Sequence, residues 1–243
     1  MAIDRQDRDV NSTATKDHLL ANFLASSFFA EDEATPVVEK LLRHPTNEEE
    51  RALLLSYARE EDGHARILDR ELARRGLPKG QPFWIQRIFR RMSARTSLLV
   101  QFYHVEIIAG CFYGAMAARV DDVAARDLLR RLLRDEARHI RLHRELLARQ
   151  IARLGTLGRL KARALCFVFR WAFFATAWYQ ARQLAPIVGE AGPPLRGKLL
   201  KKFRADRDFL FGPRNRRPRA LDWWWTPPAT REPSPPPPVA VAA

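Results

Sequence analysis

Apolar residues recur at intervals of three and four along most of the 243-residue chain, which predicts an α-helical protein. The pattern begins near Asp17, a residue suited to cap a helix, and continues to about Leu154. Turn-forming residues interrupt it at 44–47, 76–82 and 120–122. Between Asp17 and Leu154 we therefore predict four long helices, packed as an all-α four-helix bundle.

Local signals mark where these helices begin and bend. Ser, Thr and Asp side chains accept hydrogen bonds from the free N–H groups of a first helical turn. The predicted caps are Thr46, with Glu49 as a capping box, then Ser93, and Asp121 with Asp122. Pro36 lacks the N–H that would bond to the carbonyl of Asp32, so we expect a kink just beyond Glu31.

Three further segments flank the predicted bundle. Residues 1–16 are polar and charged, and we expect a disordered leader. Residues 155–211 should form C-terminal helices, the first of them very apolar from Leu165 to Tyr179. That run is shorter than the roughly 18 apolar residues that a membrane-spanning helix needs. Residues 212–243 are rich in Arg, Trp and Pro and predict a disordered, partly polyproline tail.

One motif occurs twice in the chain, at an interval of 75 residues. In each copy a glutamate is followed three residues later by a histidine, so both side chains lie on one helix face. Each copy is preceded by a further glutamate 30 residues upstream. The residues of this pattern are Glu31, Glu61, His64, Glu106, Glu136 and His139.

The predicted turns lie where this pattern requires them. The midpoint between Glu31 and Glu61 is residue 46, and the midpoint between Glu106 and Glu136 is residue 121. In two antiparallel helices, residues equidistant from the turn lie at equal height, here roughly 21 Å from it. The chain is therefore predicted to form two helical hairpins related by a pseudo-twofold axis.

Buried side by side, four carboxylates require cations to balance their charge. Two glutamates and two Glu-x-x-His pairs from four helices are the ligand set of a two-metal centre in a bundle. We predict two iron ions, with manganese possible at one or both positions, because mostly oxygen ligands disfavour zinc. Glu33 is an alternative to Glu31 as the first ligand, although the 75-residue interval favours Glu31.

Other side chains are candidates for a layer around the ligands. Glu60 and Asp135 each precede a ligand glutamate and could accept the ring N–H of the opposite histidine, or simply be surface charges. His143 lies one turn beyond a ligand and is expected to be a core or outer-layer histidine. Tyr57 and Tyr103, about one turn before ligand glutamates, are interpreted as hydrogen-bond or redox partners, or as ordinary core aromatics.

These residues resemble the ligands of the ferritin-like di-iron carboxylate superfamily, especially rubrerythrins, bacterioferritins and demethoxyubiquinone hydroxylases. The resemblance covers residues 17–154 and implies that the glutamates of the two Glu-x-x-His pairs bridge the metals. It also implies a long crossover between the second and third helices, for which residues 76–93 are long enough. There is no rubredoxin-like Cys-x-x-Cys segment, so a full-length rubrerythrin is excluded.

Basic residues outnumber acidic ones by 42 to 28, which gives a net charge of +14. This charge indicates an anionic partner such as nucleic acid or a membrane surface, or else an arginine-rich composition without a specific role. Cys111 and Cys166 lie in apolar helical runs and form neither a disulfide framework nor a zinc motif. The polar N-terminus lacks the apolar core of a secretory signal, so we expect a cytoplasmic protein, either free or held at the inner face of the membrane.

The pattern and the resemblance together predict an enzyme, a di-iron oxidoreductase that activates O2 or peroxide. Its expected partners are a small apolar substrate and an electron donor. Residues 83–92 and 159–180 are apolar with basic flanks and could rest on a membrane surface or line a substrate route, while 159–180 could instead pack on the bundle or form a homodimer. The alternative functions are a ferroxidase or iron-handling protein and a tRNA-modifying di-iron hydroxylase, although nucleic acid is the less favoured partner.

Overall fold

The computed structural model describes residues 3–44, 47–79, 91–188 and 192–211. These ranges contain helices and no strand, which confirms the predicted all-α class. The helices are α1 (Ile3–Asp32), α2 (Ala34–Leu42), α3 (Glu48–Arg74), α4 (Arg95–Ala117), α5 (Val123–Arg153), α6 (Thr156–Gln183), α7 (Ala185–Val188) and α8 (Gly192–Phe211).

Two helical hairpins form the predicted four-helix bundle. In the first, α1 and α2 pack along α3, and in the second, α4 packs along α5. Arg95, at the start of α4, donates a hydrogen bond to the carbonyl of His44, just before α3 begins, at 2.6 Å. Both helices therefore start at the same end of the bundle, so their connection must run its full length. Residues 80–90 of that connection, and with them most of the apolar segment 83–92, lie outside the described residues, as does the tail at 212–243.

The first helix is interrupted where the kink was predicted. α1 ends at Asp32 and α2 begins at Ala34. Glu33, between them, keeps helical angles and still donates its N–H to the carbonyl of Phe29 at 3.2 Å. The interruption follows from Pro36, which has no N–H for the carbonyl of Asp32.

The N-terminal end of α1 differs from the prediction. A disordered leader was expected over residues 1–16, with the helix starting near Asp17, but the helical backbone begins at Ile3. No glycine or proline stands in residues 3–16, so no residue there breaks the helix.

Two helix starts carry the predicted kind of side-chain cap. Asn47 accepts a hydrogen bond from the backbone N–H of Glu50 at 2.8 Å and caps α3. This cap is one residue later than the predicted Thr46, which lies outside the described residues. Asp122 accepts from the backbone N–H of Ala125 at 2.9 Å and caps α5, as predicted.

The predicted cap of α4 is wrong. The residue before the helix is Ala94, with no side-chain cap, and Ser93 plays no part in it. The start of α4 is held instead by Arg95, which forms an ion pair with the buried carboxylate of Glu50 and donates to the carbonyl of His44. A long-range charge contact therefore takes the place of a local capping interaction.

α4 is the interior helix of the molecule. In the described part of the chain, Arg95–Ala117 is the one helix long and apolar enough to cross a membrane, but 78% of its apolar window is buried inside the protein. Its apolar surface is covered by α5 on one side and by α6 and α8 on another. The composition of α4 therefore reflects burial on nearly all faces.

The C-terminal helices pack against the outside of α4. His104 of α4 lies among three aromatic rings, Phe169 and Phe173 of α6 and Phe203 of α8, at centroid distances of 5.7–6.2 Å. Burial lowers the pKa of His104 to about 4, so a neutral imidazole packs there as another aromatic ring. The predicted helices of this region are thus present and extend the bundle core.

Candidate metal centre

The structure brings all of the predicted ligand side chains together in the middle of the bundle. Two helices contribute one glutamate each, and the other two contribute a Glu-x-x-His pair each. None of these residues is more than 3% exposed. They are Glu31 on α1, Glu61 and His64 on α3, Glu106 on α4, and Glu136 and His139 on α5.

Their ligand atoms form three overlapping groups, in each of which all the atoms lie within 4.8 Å of one another. Glu31 groups with His64 and Glu136, and Glu106 groups with His139 and the same Glu136. Glu61 groups with both histidines. The arrangement is that of two adjacent positions, each with its own glutamate and histidine, sharing the two glutamates of the Glu-x-x-His pairs.

Several atoms at the centre of this cluster are buried without a hydrogen-bond partner. Among the described residues these include Oε1 of Glu61, both carboxylate oxygens of Glu136 and Nδ1 of His139. His139 Nδ1 lies 2.6 Å from Glu61 Oε1, yet the angles do not permit a hydrogen bond. Buried polar atoms are almost always partnered, and lone pairs that converge on one point fit metal coordination. The donor set therefore fits two cations of the iron or manganese type.

The outward ring nitrogens of the histidines are oriented by the carboxylates predicted for that role. Nε2 of His64 lies 3.0 Å from Asp135 Oδ2, and Nε2 of His139 lies 3.1 Å from Glu60 Oε2. Each acceptor comes from the opposite hairpin. With Nε2 paired to a carboxylate, Nδ1 of each ring faces the cluster, where its lone pair could bind a metal once any proton on that nitrogen is released.

In the metal-free protein, bound protons reduce the negative charge of the buried carboxylates. Burial and the nearby charge of Glu31 raise the pKa of Glu61 well above its usual range, and burial and Glu106 do the same to Glu136. Burial would also raise the pKa of Glu31, but hydrogen bonds from Glu61 and His64 hold it at about 2. Burial disfavours charge on His64, yet its contacts with Glu31 and Glu61 raise its pKa to about 10. The metal-free cluster thus stores protons where cations would bind.

Two tyrosines fix the outer glutamates. The hydroxyl of Tyr57 donates a hydrogen bond to Glu106 Oε1 at 2.5 Å. Of the roles considered for Tyr57, this contact is that of a hydrogen-bond partner of a cluster glutamate. The hydroxyl of Tyr113 donates to Glu31 Oε1 in the same way. Tyr103, the other tyrosine predicted for this role, has its hydroxyl 3.5 Å from Nζ of Lys202 on α8 instead.

Sequence reasoning missed Tyr113, although a signal for it exists. At 100° per residue, Tyr113 stands only about 20° around α4 from Glu106, while Tyr103 stands about 60° away. A spacing of seven residues keeps a side chain in line with the ligand, so Tyr113 reaches the cluster.

His143 and Glu33 lie beside the cluster and outside the groups of ligand atoms. His143 is fully buried, stacks on Phe102 at a centroid distance of 4.9 Å, and has Nε2 3.6 Å from Glu106 Oε1. Burial and then the charge of His139 lower the pKa of His143, so it stays neutral. Glu33, the alternative first ligand, lies half-buried at the junction of α1 and α2 and is in none of the groups, whereas Glu31 is.

A cavity of about 150 Å³ reaches the cluster. It lies between α1, α4 and α6, where apolar and small side chains line it, and the carboxylates form one wall. Its lining includes Phe23, Ala30, Val37, Ile108, Phe112 and Phe173. Apart from the cluster and its two tyrosines, six polar side chains also line the cavity: Ser26, Ser27, Glu33, Gln101, Thr176 and Gln180. Such a space suits a small apolar molecule next to the metal positions.

The fold defined by these helices and this cluster is the ferritin-like helical bundle. It resembles a solved structure described as Protein 19 with aldehyde deformylating oxidase activity from Synechococcus, with a TM-score of 0.61 and 18% sequence identity. The match covers 80% of this chain and 92% of the other. No protein-family model and no curated protein matches the sequence. At 18% sequence identity, this similarity is evidence for a shared fold.

Proposed function

We propose that the protein is a non-haem di-iron oxidoreductase that uses O2 or peroxide to oxidise a small apolar substrate. The observation that carries this proposal is the buried cluster of four glutamates and two histidines at the wall of an apolar cavity. When bound, the two irons supply the redox chemistry that no side chain of the cluster can perform alone. The oxidase activity of the solved structure with the same fold supports this class of reaction.

The residues divide the task of holding the metals. Glu31 and His64 would hold one ion, and Glu106 and His139 the other. Glu136, which lies within reach of both positions, and Glu61, near both histidines, would bridge them. The ligands then carry a charge of −4 against +4 for two divalent ions, which makes the buried site neutral.

The cavity determines what could react. Its aromatic and aliphatic wall would bind an apolar molecule and exclude water from the metals. Tyr57 and Tyr113 would hold Glu106 and Glu31 in place through their hydroxyl groups, so that the outer carboxylates keep one orientation. An external electron donor would supply the reducing equivalents that the reaction needs.

The test begins with metal binding. Anaerobic titration of the purified protein with Fe(II), followed by exposure to O2 and read by optical and Mössbauer spectroscopy, should show about two irons per chain. Glu136→Ala should abolish binding at both positions, because this carboxylate is shared. Glu145→Ala, on the exposed face of the same helix, is the matched control and should bind as the wild type does.

Turnover is then measured with a chemical reductant and a panel of aldehydes, fatty acids and quinones. Oxidation of one class, lost in Glu136→Ala and kept in Glu145→Ala, supports the proposal. Uptake of many irons per chain by a large symmetric oligomer would show iron storage instead. Co-purified RNA whose binding falls steeply with salt would favour the nucleic-acid alternative.

A further inference from the structure

The outward face of α6 is an exposed apolar stripe. Its side chains are between 46% and 65% exposed, although large apolar side chains elsewhere in the described core are buried. The stripe consists of Leu157, Leu160, Phe167, Val168, Trp171 and Trp178. These residues recur at helical intervals on the side opposite the buried Phe169 and Phe173.

The stripe is large for the surface of a water-soluble bundle. From Leu157 to Trp178 it extends about 32 Å along the helix. Aromatic and large aliphatic side chains expose on the order of 100 Å² each when half covered, so the stripe presents roughly 600 Å² of apolar surface. Patches of this size mark sites of interaction with a membrane or another protein.

Charge distinguishes between these two partners. α6 contains five basic residues and no acidic residue: Arg159, Lys161, Arg163, Arg170 and Arg182. Lys161 and Arg163 are exposed close to the N-terminal half of the stripe. A second copy of this chain would bring the same positive charge against it, on top of a net charge of +14 per chain. An anionic lipid surface is complementary to both the apolar stripe and its basic flank.

We propose that α6 docks the protein onto an anionic membrane surface, lying in the plane of the headgroups with its stripe in the acyl boundary. Tryptophan is favoured at that depth because its ring is apolar and its N–H stays hydrated. Lys161 and Arg163, exposed on either side of the stripe, can reach the phosphates. This docking is independent of the metal centre, although Phe173 and Thr176, on another face of α6, line the cavity.

The experiment is co-sedimentation of the full-length protein with vesicles. One set is phosphatidylcholine alone, and the other contains about a third phosphatidylglycerol, each at about 0.1 M and 1 M salt. The wild type should bind the anionic vesicles, and binding should weaken at high salt. Phe167→Glu with Trp171→Glu should lower the bound fraction at least tenfold.

Two further variants make the result decisive. Leu53→Glu with Val123→Glu changes the charge equally at exposed apolar positions on α3 and α5, away from the stripe, and should bind as the wild type does. Lys161→Glu with Arg163→Glu keeps the stripe and should remove the preference for anionic vesicles. Circular dichroism checks folding, and if the stripe variant does not fold, the charge-reversal pair decides.

Equal vesicle binding by the stripe variant and its control would overturn the proposal. So would absence of binding by the wild type, or a dimer that the stripe substitutions convert to a monomer. Iron stoichiometry is measured on the same samples. If the protein binds vesicles but takes up no iron, membrane docking is supported and the proposed function is contradicted. If it takes up iron but does not bind vesicles, the proposed function is supported and membrane docking is contradicted.

Discussion

At the residue scale, the orientation of the two histidines depends on a pair of carboxylates outside the groups of ligand atoms. Asp135 holds the ring of His64, and Glu60 holds the ring of His139, each from the opposite hairpin. These contacts decide which nitrogen keeps a lone pair for a metal. They also tie the two hairpins together at the level of the cluster.

Removal of either contact should weaken metal binding without abolishing it. We expect Asp135→Asn and Glu60→Gln each to reduce iron affinity by about 10- to 100-fold, because the histidine loses its fixed tautomer and part of its basicity. Competitive titration with a metal-binding dye measures the change. Asp127→Asn, an exposed position on α5, is the control, and an equal loss there would contradict the assigned role.

Tyr113 should stabilise the metal-free protein. Its hydroxyl donates to the buried carboxylate of Glu31, and hydrogen bonds to charged groups contribute about 1.5–3 kcal/mol each. Tyr113→Phe should lower the free energy of unfolding by about that amount in a urea titration. Tyr179→Phe, at a side chain 54% exposed on α6, should leave it unchanged.

The ligands could be predicted from the sequence because a repeat carries them. The interval of 75 residues selects Glu31 over Glu33, and the structure brings Glu31 to the cluster. The tyrosines could not be assigned in the same way, since the repeat does not extend to them. Tyr57 on α3 donates to Glu106 and Tyr113 on α4 donates to Glu31. The two glutamates are related by the 75-residue interval, but the two tyrosines are not.

At the scale of elements, one buried ion pair joins the ends of several helices. Glu50 lies in the first turn of α3, only 2% exposed, and pairs with Arg95 at the start of α4. Arg95 also donates to Gln150 near the end of α5, at 3.3 Å. These ends are far apart in sequence, so local capping rules indicate a helix start near residue 94 without showing what secures it.

Replacing one partner of this ion pair should lower the free energy of unfolding more than replacing both partners. Arg95→Met leaves a buried carboxylate without its partner and should lower the free energy of unfolding by about 3–5 kcal/mol. The double variant with Glu50→Leu should recover most of that loss, since no charge is left buried. Chemical denaturation of the single and double variants measures the difference, and equal losses in both would contradict the argument.

The cavity is also a product of helix packing. Small residues on α1 and α4, such as Ala30 and Ala109, leave the space that faces α6. Ala30→Phe should fill it, so that iron binding stays at about two per chain while oxidation of apolar substrates falls at least tenfold. Ala52→Phe, at an exposed position on α3, is the control. Undiminished turnover in Ala30→Phe would show that the oxidised substrate does not bind in this cavity.

At the scale of the whole molecule, stability should depend on pH in a direction set by the cluster. The pKa of His64 is raised to about 10, and those of Glu61 and Glu136 are raised well above their usual range. The folded state therefore binds more protons than the unfolded state above pH 6.5, and the stability these groups contribute is lost as pH rises. The pKa of His104, lowered to about 4, acts oppositely and costs stability as pH falls below 6.5.

Metal-free protein should therefore be most stable slightly below neutral pH and lose stability steadily towards pH 9. Thermal unfolding followed across this range in the presence of a chelator measures the trend. Iron-loaded protein should show a much weaker loss, because the ligands are then deprotonated in the folded state. Higher stability of the chelated protein at pH 9 than at pH 6.5 would contradict the protonation pattern.

The bundle and its cluster of glutamates and histidines could be predicted from periodicity and spacing because both repeat along the chain. The surface of α6 could be predicted only in part, since its apolar run is equally compatible with burial, dimerisation or lipid contact. Coordinates separate the two faces of that helix, one packed on His104 and the other open. The cavity depends on distances between three helices and has no signature in the sequence.

The protonated cluster has a consequence for how the protein acquires metal. If the proposed function holds, arriving ions would displace hydrogen ions from Glu61, Glu136 and His64, so metal uptake and acid release would be one exchange. Loading would then be easier in alkaline surroundings and would reverse on acidification. The interior of the bundle would act as a small ion exchanger whose selectivity is set by six fixed side chains.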